Sequence, residues 1–264
     1  YRNFLDSVLT LYRKSFFYLM MDLHRWMLGG DTGKMVVGVA TLLFLVILIT
    51  GIILWWPRNK AILKHRLKIK SNACFKRLNH DYHIVLGFYS AIFLFVLAFT
   101  GLAWSFKWFN KGIYYVTNSS MEKAKPILSN PSAINKTTLA FAILQVSILE
   151  KEAIYYNISL PKDSAESISI NVLSAKAAHE SASDNYTIDA YNGEVIAVNK
   201  FKDKNLGARV RSTFKPVHTA AIFGWPSKLI GFLVCLLGTF FPASGIIMWW
   251  NRTRKKRKKI SSLG

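Results

Sequence analysis

Three runs of the chain carry no Asp, Glu, Lys or Arg: 22 residues from Met35 to Trp56, 23 from Ile84 to Phe106, and 22 from Leu229 to Trp250. A helix rises about 1.5 Å per residue, so about 20 apolar residues cover the roughly 30 Å of hydrocarbon in a bilayer. Core helices of water-soluble domains seldom run that far without a charge, so each run is predicted to cross a membrane. None resembles a signal peptide, because the first begins too late and is too long. A formal charge of +21 with 52% hydrophobic residues leaves two classes, a nucleic-acid binder or a membrane protein with basic loops. Disorder is excluded by the same hydrophobic content.

The placement of the charge decides between these classes. Between the first two runs lie Arg58, Lys60, Lys64, Arg66, Lys68, Lys70, Lys76 and Arg77, against one acid, Asp81. Beyond the third run come Arg252, Arg254 and the run Lys255 to Lys259. The segment from Lys111 to Val217 is nearly balanced, with 13 basic and 10 acidic residues. Short basic loops stay in the cytoplasm. The expected layout is therefore an outer interfacial helical segment over 1–33, a first transmembrane helix over 34–57, and a basic cytoplasmic loop over 58–81. A second transmembrane helix covers 82–110, an extracytoplasmic domain 111–217, a third transmembrane helix 218–250, and a basic cytoplasmic tail 251–264. Basic clusters at span ends make anionic membrane lipid the expected partner, and no nucleic acid. Trp55, Trp56, Trp249 and Trp250 read as interfacial anchors. Cys74 and Cys235 fall at different depths and are not expected to pair.

An internal repeat sharpens the picture. Residues 24–58 and 218–252 align without gaps at 11 of 35 positions, including His24/His218, Gly30/Gly224, Lys34/Lys228, Gly51/Gly245 and the Trp-Trp-x-Arg endings. Both copies are expected to run from outside to inside, as parallel repeats about an axis along the membrane normal. His24 and His218 then stand at equivalent depth near the outer surface. Two imidazoles facing each other across a bundle axis suit an iron porphyrin, whose axial places they would fill. Zinc fits less well, since it usually takes four ligands and no symmetric acid or thiol accompanies the pair. The alternative is that both histidines are interfacial anchors or helix-end hydrogen bonders.

His80 and His83 enter the second run from the opposite side and share a helix face, while Gly87 would let a flat ligand approach the backbone. A haem there needs a second ligand from another helix. In the 111–217 segment, a short helix over Thr137 to Ile148 precedes alternating runs, and Ala190 to Val198 reads as a hairpin with Asn192-Gly193 at its turn. The expected result is a small α+β module with no nucleophile–base pair, metal cluster or phosphate loop. Phe4, Val8, Leu11, Leu19, Leu23 and Trp26 suggest a helix lying on the outer interface. The chain starts at Tyr1 rather than Met, as expected of a fragment or a processed chain.

Leu23-His24-Arg25-Trp26, Thr50-Gly51-Ile52-Ile53-Leu54-Trp55-Trp56-Pro57-Arg58, Asp81-Tyr82-His83 with Val85-Leu86-Gly87-Phe88-Tyr89, and Thr100-Gly101 resemble the PepSY-associated transmembrane family. Ile188-Asp189 with Asn192-Gly193-Glu194-Val195 is similar to the end of a PepSY module. Val217-His218-Thr219, Phe223-Gly224 and Gly245-Ile246-Ile247-Met248-Trp249-Trp250 resemble the family's last helix. The resemblance implies an α-helical membrane protein of the bacterial inner membrane, with three transmembrane helices, a small extracytoplasmic PepSY-like α+β domain and a cytoplasmic C-terminus. It implies a relation to siderophore reductases: haem b held outside by His24 and His218, and a second haem held inside by His83 and a histidine on a further N-terminal helix that precedes residue 1 in the usual family chain. His80 stays open as the inner ligand. The implied activity is haem-dependent transfer of electrons from a quinol or cytoplasmic donor to a ferric siderophore or other extracytoplasmic acceptor. The rival is a non-enzymatic, membrane-anchored PepSY-type binding or regulatory protein. A transporter is disfavoured because no span is expected to carry a buried ionisable residue to couple ions.

Overall fold

The computed structural model describes residues 15–57, 59–121, 127–129, 139–163 and 165–261. Phe4, Val8 and Leu11 of the expected interfacial segment, Arg58, and the expected helix start at Thr137 lie outside the described residues. In chain order the elements are α1 (15–26), α2 (Gly30–Trp55), α3 (Lys60–Arg66), α4 (Phe75–Ser105), α5 (Lys107–Val116) and α6 (Leu139–Leu149). There follow β1 (Ala153–Ser159), β2 (Ile168–Ser174), β3 (Asp184–Ile188), β4 (Val195–Asn199), a 3-10 turn (Phe201–Asp203), α7 (Leu206–His218) and α8 (Trp225–Ser261). The chain divides into two compact units, Tyr1–Phe106 with Lys228–Gly264, and Lys107–Ser227.

In the first unit, α2, α4 and the Trp225–Arg254 part of α8 are long and apolar enough to cross a membrane. The three spans expected from the sequence are therefore present. α4 starts well before its uncharged run, because Asn79 and Asp81 are buried among polar partners rather than left to solvent. α4 is the central helix: 28% of its most apolar window is buried inside the protein, against 11% for α2 and for α8. α2 presses on α4 at Gly38, where a Cβ would fall 2.8 Å from Phe106 Cζ and 2.9 Å from Ser105 Cβ. At the other end of α2, Trp55 stacks on Phe88 with ring centroids 3.9 Å apart. α8 meets α4 through Ser244 against Asn79 and through Gly238 against Leu94. Rising numbers on α8 thus meet falling numbers on α4, so α2 and α8 run in the same direction against it. The outward faces expose Leu43, Ile53, Leu54, Ile92, Phe232 and Leu236, which suits hydrocarbon rather than water.

The repeat is a helix–turn–helix in both copies. α1 ends where Met27, Leu28 and Gly30 take φ of 45°, 58° and 55°. α7 ends where Ala220 and Gly224 take φ of 53° and 68°. The shared glycine therefore serves a left-handed backbone position in the turn before each span. No side-chain cap closes the start of α2: its N-cap is Gly29, and Asp31 sits in the first turn. Ser227 accepts from Phe223 N–H at 3.1 Å and donates to Ala220 O at 2.6 Å, tying together the turn before α8.

The second unit is an α+β module, as the alternating runs predicted. β1 to β4 form a four-stranded antiparallel sheet in sequential order. One face is apolar, and Ile168, Ile170, Val172, Tyr186, Ile188 and Ala190 pack with Ala142 and Val146 of α6 into the core. The predicted hairpin is β3–β4. Its first strand is Asp184–Ile188 rather than the residues after Ala190, because the Asp189 carboxylate accepts from Tyr191 and Asn192 N–H at 2.7 and 3.3 Å and curls the chain into a turn. Gly193 completes that turn at φ 77°. Tyr186 donates from its hydroxyl to Glu150 Oε1 at 2.5 Å, and burial together with that carboxylate pushes the phenol well above its ordinary pKa. α5 packs on α7 through Phe109 and Phe214, and Arg211 Nε donates to Asn110 Oδ1 at 2.5 Å.

Candidate functional site: a cavity beside the central helix

At the Trp55 end of the first unit, α2, α3, α4 and α8 line a cavity of about 880 Å³. Sites for small molecules and cofactors fall in the range of roughly 300–1,000 Å³. Phe44, Ile47, Leu48 and Ile52 of α2, Phe88 and Leu94 of α4, and Phe241 and Pro242 of α8 give it apolar walls. Ile47 and Leu48 occupy the same repeat positions as Phe241 and Pro242, so the two copies contribute equivalent turns to one cavity. Gly51 and Gly87 leave the walls smooth: a Cβ on Gly51 would meet nothing within 4 Å, and one on Gly87 only Phe241 at 3.8 Å. Exposed Arg66, Lys68 and Arg77 add positive charge to the lining, and His80, Asp81 and His83 complete it.

His83 is held on several sides. Its Nδ1 lies 2.7 Å from Ser244 Oγ, and its ring meets Phe241 edge-on at 5.5 Å. Ser244 is 1% exposed and donates its hydroxyl to Phe241 O at 3.0 Å. The Ser244 carbonyl in turn accepts from Asn79 Nδ2 at 3.1 Å. Among the described residues, no hydrogen bond is made by His83 Nε2. His80 is looser. Its side chain is 48% exposed, and its Nδ1 is 3.5 Å from Asp81 Oδ1. Asp81, 5% exposed, accepts from Arg77 Nε at 2.8 Å and from Lys70 N–H at 3.4 Å, which fixes the basic loop against the start of α4.

Trp55 departs from the expectation of an interfacial anchor. Trp56, Trp249 and Trp250 are exposed, as such anchors should be, but Trp55 is 8% exposed and forms part of the cavity wall. Stacking on Phe88 turns the ring inward, and its indole N–H is buried with no hydrogen-bond acceptor among the described residues. The Arg66 guanidinium donates to the Trp55 carbonyl, placing a cation at the C-terminus of α2 where the helix dipole favours it.

The lining fits an iron porphyrin with one ligand from this cavity. His83 offers a fixed imidazole with Nε2 free of hydrogen bonds, the glycines give a flat wall, and the cations match carboxylate substituents. His80 and His83 reach the cavity from the same side. Side chains three residues apart on one helix share a face, with Cβ atoms about 5–6 Å apart. Among the described residues no group of three or more His, Cys, Asp or Glu gathers.

His24 lies in α1 of the first unit, and His218 closes α7 in the second. In the repeat each falls near the C-terminal end of the helix preceding a span. The residues that sequence reasoning missed are Ser244, Asn79 and the cavity wall of Trp55 and Gly51. A signal for Ser244 was present: Thr50-Gly51 and Ser244-Gly245 are equivalent in the repeat, a hydroxyl followed by glycine in both copies.

Three spanning helices around a histidine-bearing cavity, with an α+β module inserted between the second and third, define a multi-pass membrane protein. The family profile of the PepSY-associated TM region matches residues 3–252, nearly the whole chain. The protein therefore belongs to that family. No curated protein matches the chain.

Proposed function

We propose that this protein is a haem protein of the bacterial inner membrane, with its C-terminus in the cytoplasm, that carries electrons outward to a ferric chelate such as a ferric siderophore. The observation that carries this reading is His83, buttressed by Ser244 inside an apolar cavity lined by cations. The basic residues between α2 and α4 support the orientation, since such loops stay inside. A haem bound there would supply one-electron exchange between ferric and ferrous iron.

The chain's own residues prepare the inner site. His83 Nε2 would ligate, Arg66, Lys68 and Arg77 would hold the propionates, and Phe44, Ile52 and Phe88 would exclude water. A second protein ligand, where one is needed, would come from beyond these lining residues. For the outer site we propose His24 and His218, supported by their equivalent places in the repeat. A quinol or cytoplasmic reductant would supply the electrons, and the ferric chelate outside would accept one per iron. Ferrous iron is held less tightly by hard oxygen donors, so the chelate would release it.

The test is the absorption spectrum of the full chain purified from haem-supplied cells. Sharp bands that shift on dithionite are expected, with His83→Ala losing inner haem and His24→Ala or His218→Ala losing outer haem. A colourless protein would defeat the reading in favour of a membrane-anchored PepSY-type binding protein.

A further inference from the structure

We propose that Ser244 is a positioning residue that locks His83 in the tautomer with its proton on Nδ1, so that Nε2 is presented to the cavity as an electron-pair donor. Ser244 Oγ lies 2.7 Å from His83 Nδ1 and 3.0 Å from the Phe241 carbonyl. A carbonyl can only accept, and a hydroxyl has one proton to give. With the hydroxyl turned to Phe241 O, its oxygen is left to accept, and the 2.7 Å contact is filled by the proton of His83 Nδ1. The other ring nitrogen is then left with its lone pair.

The lock is rigid. Ser244 is 1% exposed, so water does not compete for its hydroxyl. One turn before His83 on α4, Asn79 holds the Ser244 carbonyl at 3.1 Å, so α4 grips the same residue of α8 at both its side chain and its backbone. His80 lacks any such support: it is half exposed, and its nearest polar partner lies at 3.5 Å. The repeat shows what the hydroxyl does without a histidine. Thr50, the equivalent of Ser244, donates to Val46 O of its own helix at 2.7 Å and is exposed. Ser244 also bonds within its own helix, and the contact it adds is the one to His83. Metal-bound histidines depend on such a partner for ring orientation and basicity. The same reasoning selects His83 over His80 as the inner ligand.

The tautomer stands on the hydrogen bonds alone; its consequence for iron rests on the haem reading above. Two measurements on the full chain in detergent separate them. Nitrogen-15 spectra of histidine-labelled protein, with His83 assigned by its loss in His83→Ala, should show Nδ1 protonated and Nε2 bare in the haem-free form. Ser244→Ala should lose that single-tautomer signature, and Ser244→Thr should keep it. In haem-loaded protein, Ser244→Ala should raise the reduction potential of the inner site, because an imidazole without an acceptor for Nδ1–H donates less to ferric iron. Affinity should fall about 10–100-fold. Ser244→Cys, a weaker acceptor of nearly the same size, should shift the potential the same way if the alanine variant does not fold. The proposal is overturned if wild-type His83 carries its proton on Nε2, or if Ser244→Ala changes neither tautomer nor potential while His83→Ala still loses haem. If the wild type takes up no haem, the proposed function fails while the nitrogen-15 arm still decides the tautomer.

Discussion

Two tryptophans at equivalent repeat positions show how far a single side chain can depart from its motif. Trp249 is 66% exposed and Trp55 8%, although both begin a Trp-Trp-x-Arg ending. Phe88 on α4 accounts for the difference by stacking on Trp55. Trp55→Phe keeps an aromatic ring on Phe88 and removes an orphan donor whose burial costs about 1–3 kcal/mol. We expect it to change the stability of the ligand-free protein by no more than about 1 kcal/mol, the lost volume offsetting the removed donor. Trp55→Ala hollows the wall and should cost about 3–5 kcal/mol. Thermal unfolding in detergent micelles checks both, and a large loss in the phenylalanine variant would mean the N–H has an acceptor after all. At this scale the sequence was legible only in part. His80 and His83 stood out because imidazoles are rare beside a span. Asn79 did not, and the hydroxyl-glycine pair shared by the repeats marked Ser244 without its role, which shows only when a neighbouring helix puts an imidazole within reach.

The elements were easier to read. Charge-free runs longer than a bilayer is thick leave little alternative to spanning helices, and alternating apolar residues such as Ile168, Ile170 and Val172 place one face of β2 in a core. Boundaries were harder, since α4 extends into charged sequence where Asp81 finds Arg77 and Lys70. The two turns that feed the spans were visible as a shared glycine, and the structure supplies the reason. Gly224 has φ 68°, and a Cβ added there would meet no atom within 4 Å, so backbone conformation rather than space demands glycine. Gly224→Ala should cost about 1–2 kcal/mol, the penalty of a left-handed residue with a side chain. Gly112, in α5 with equally open surroundings but an ordinary helical φ, is the control. Gly112→Ala should stabilise by about 0.5–1 kcal/mol. Opposite signs in thermal unfolding are the expected result, and equal signs would remove the conformational explanation of the repeat.

At the scale of the molecule, a membrane unit and an α+β unit are carried by one chain, and each has its own sensitivities. In the α+β unit, His179 accepts from Ser181 N–H at 3.2 Å and meets Phe201 edge-on. Burial holds its pKa below the ordinary 6.5, and nearby Glu180 only partly opposes this. The folded unit therefore binds this proton less readily than the unfolded chain. Its stability is complete above the ordinary value and declines as pH falls through it towards the lowered folded pKa. Hydrogen exchange of the β2 and β3 amides should show weaker protection at about pH 5.5 than at about pH 7.5. His179→Gln should flatten that dependence, and an unchanged slope would place the sensitivity elsewhere.

The membrane unit carries a different lesson in its asymmetry. Ile47 with Leu48 and Phe241 with Pro242 offer nearly interchangeable flanks, whereas His83 projects from a helix that has no duplicate. Such flanks alone would accept a planar guest either way up. One imidazole without a counterpart in the repeat gives the chamber a top and a bottom, so two alike flanks would admit a lopsided guest in a single sense.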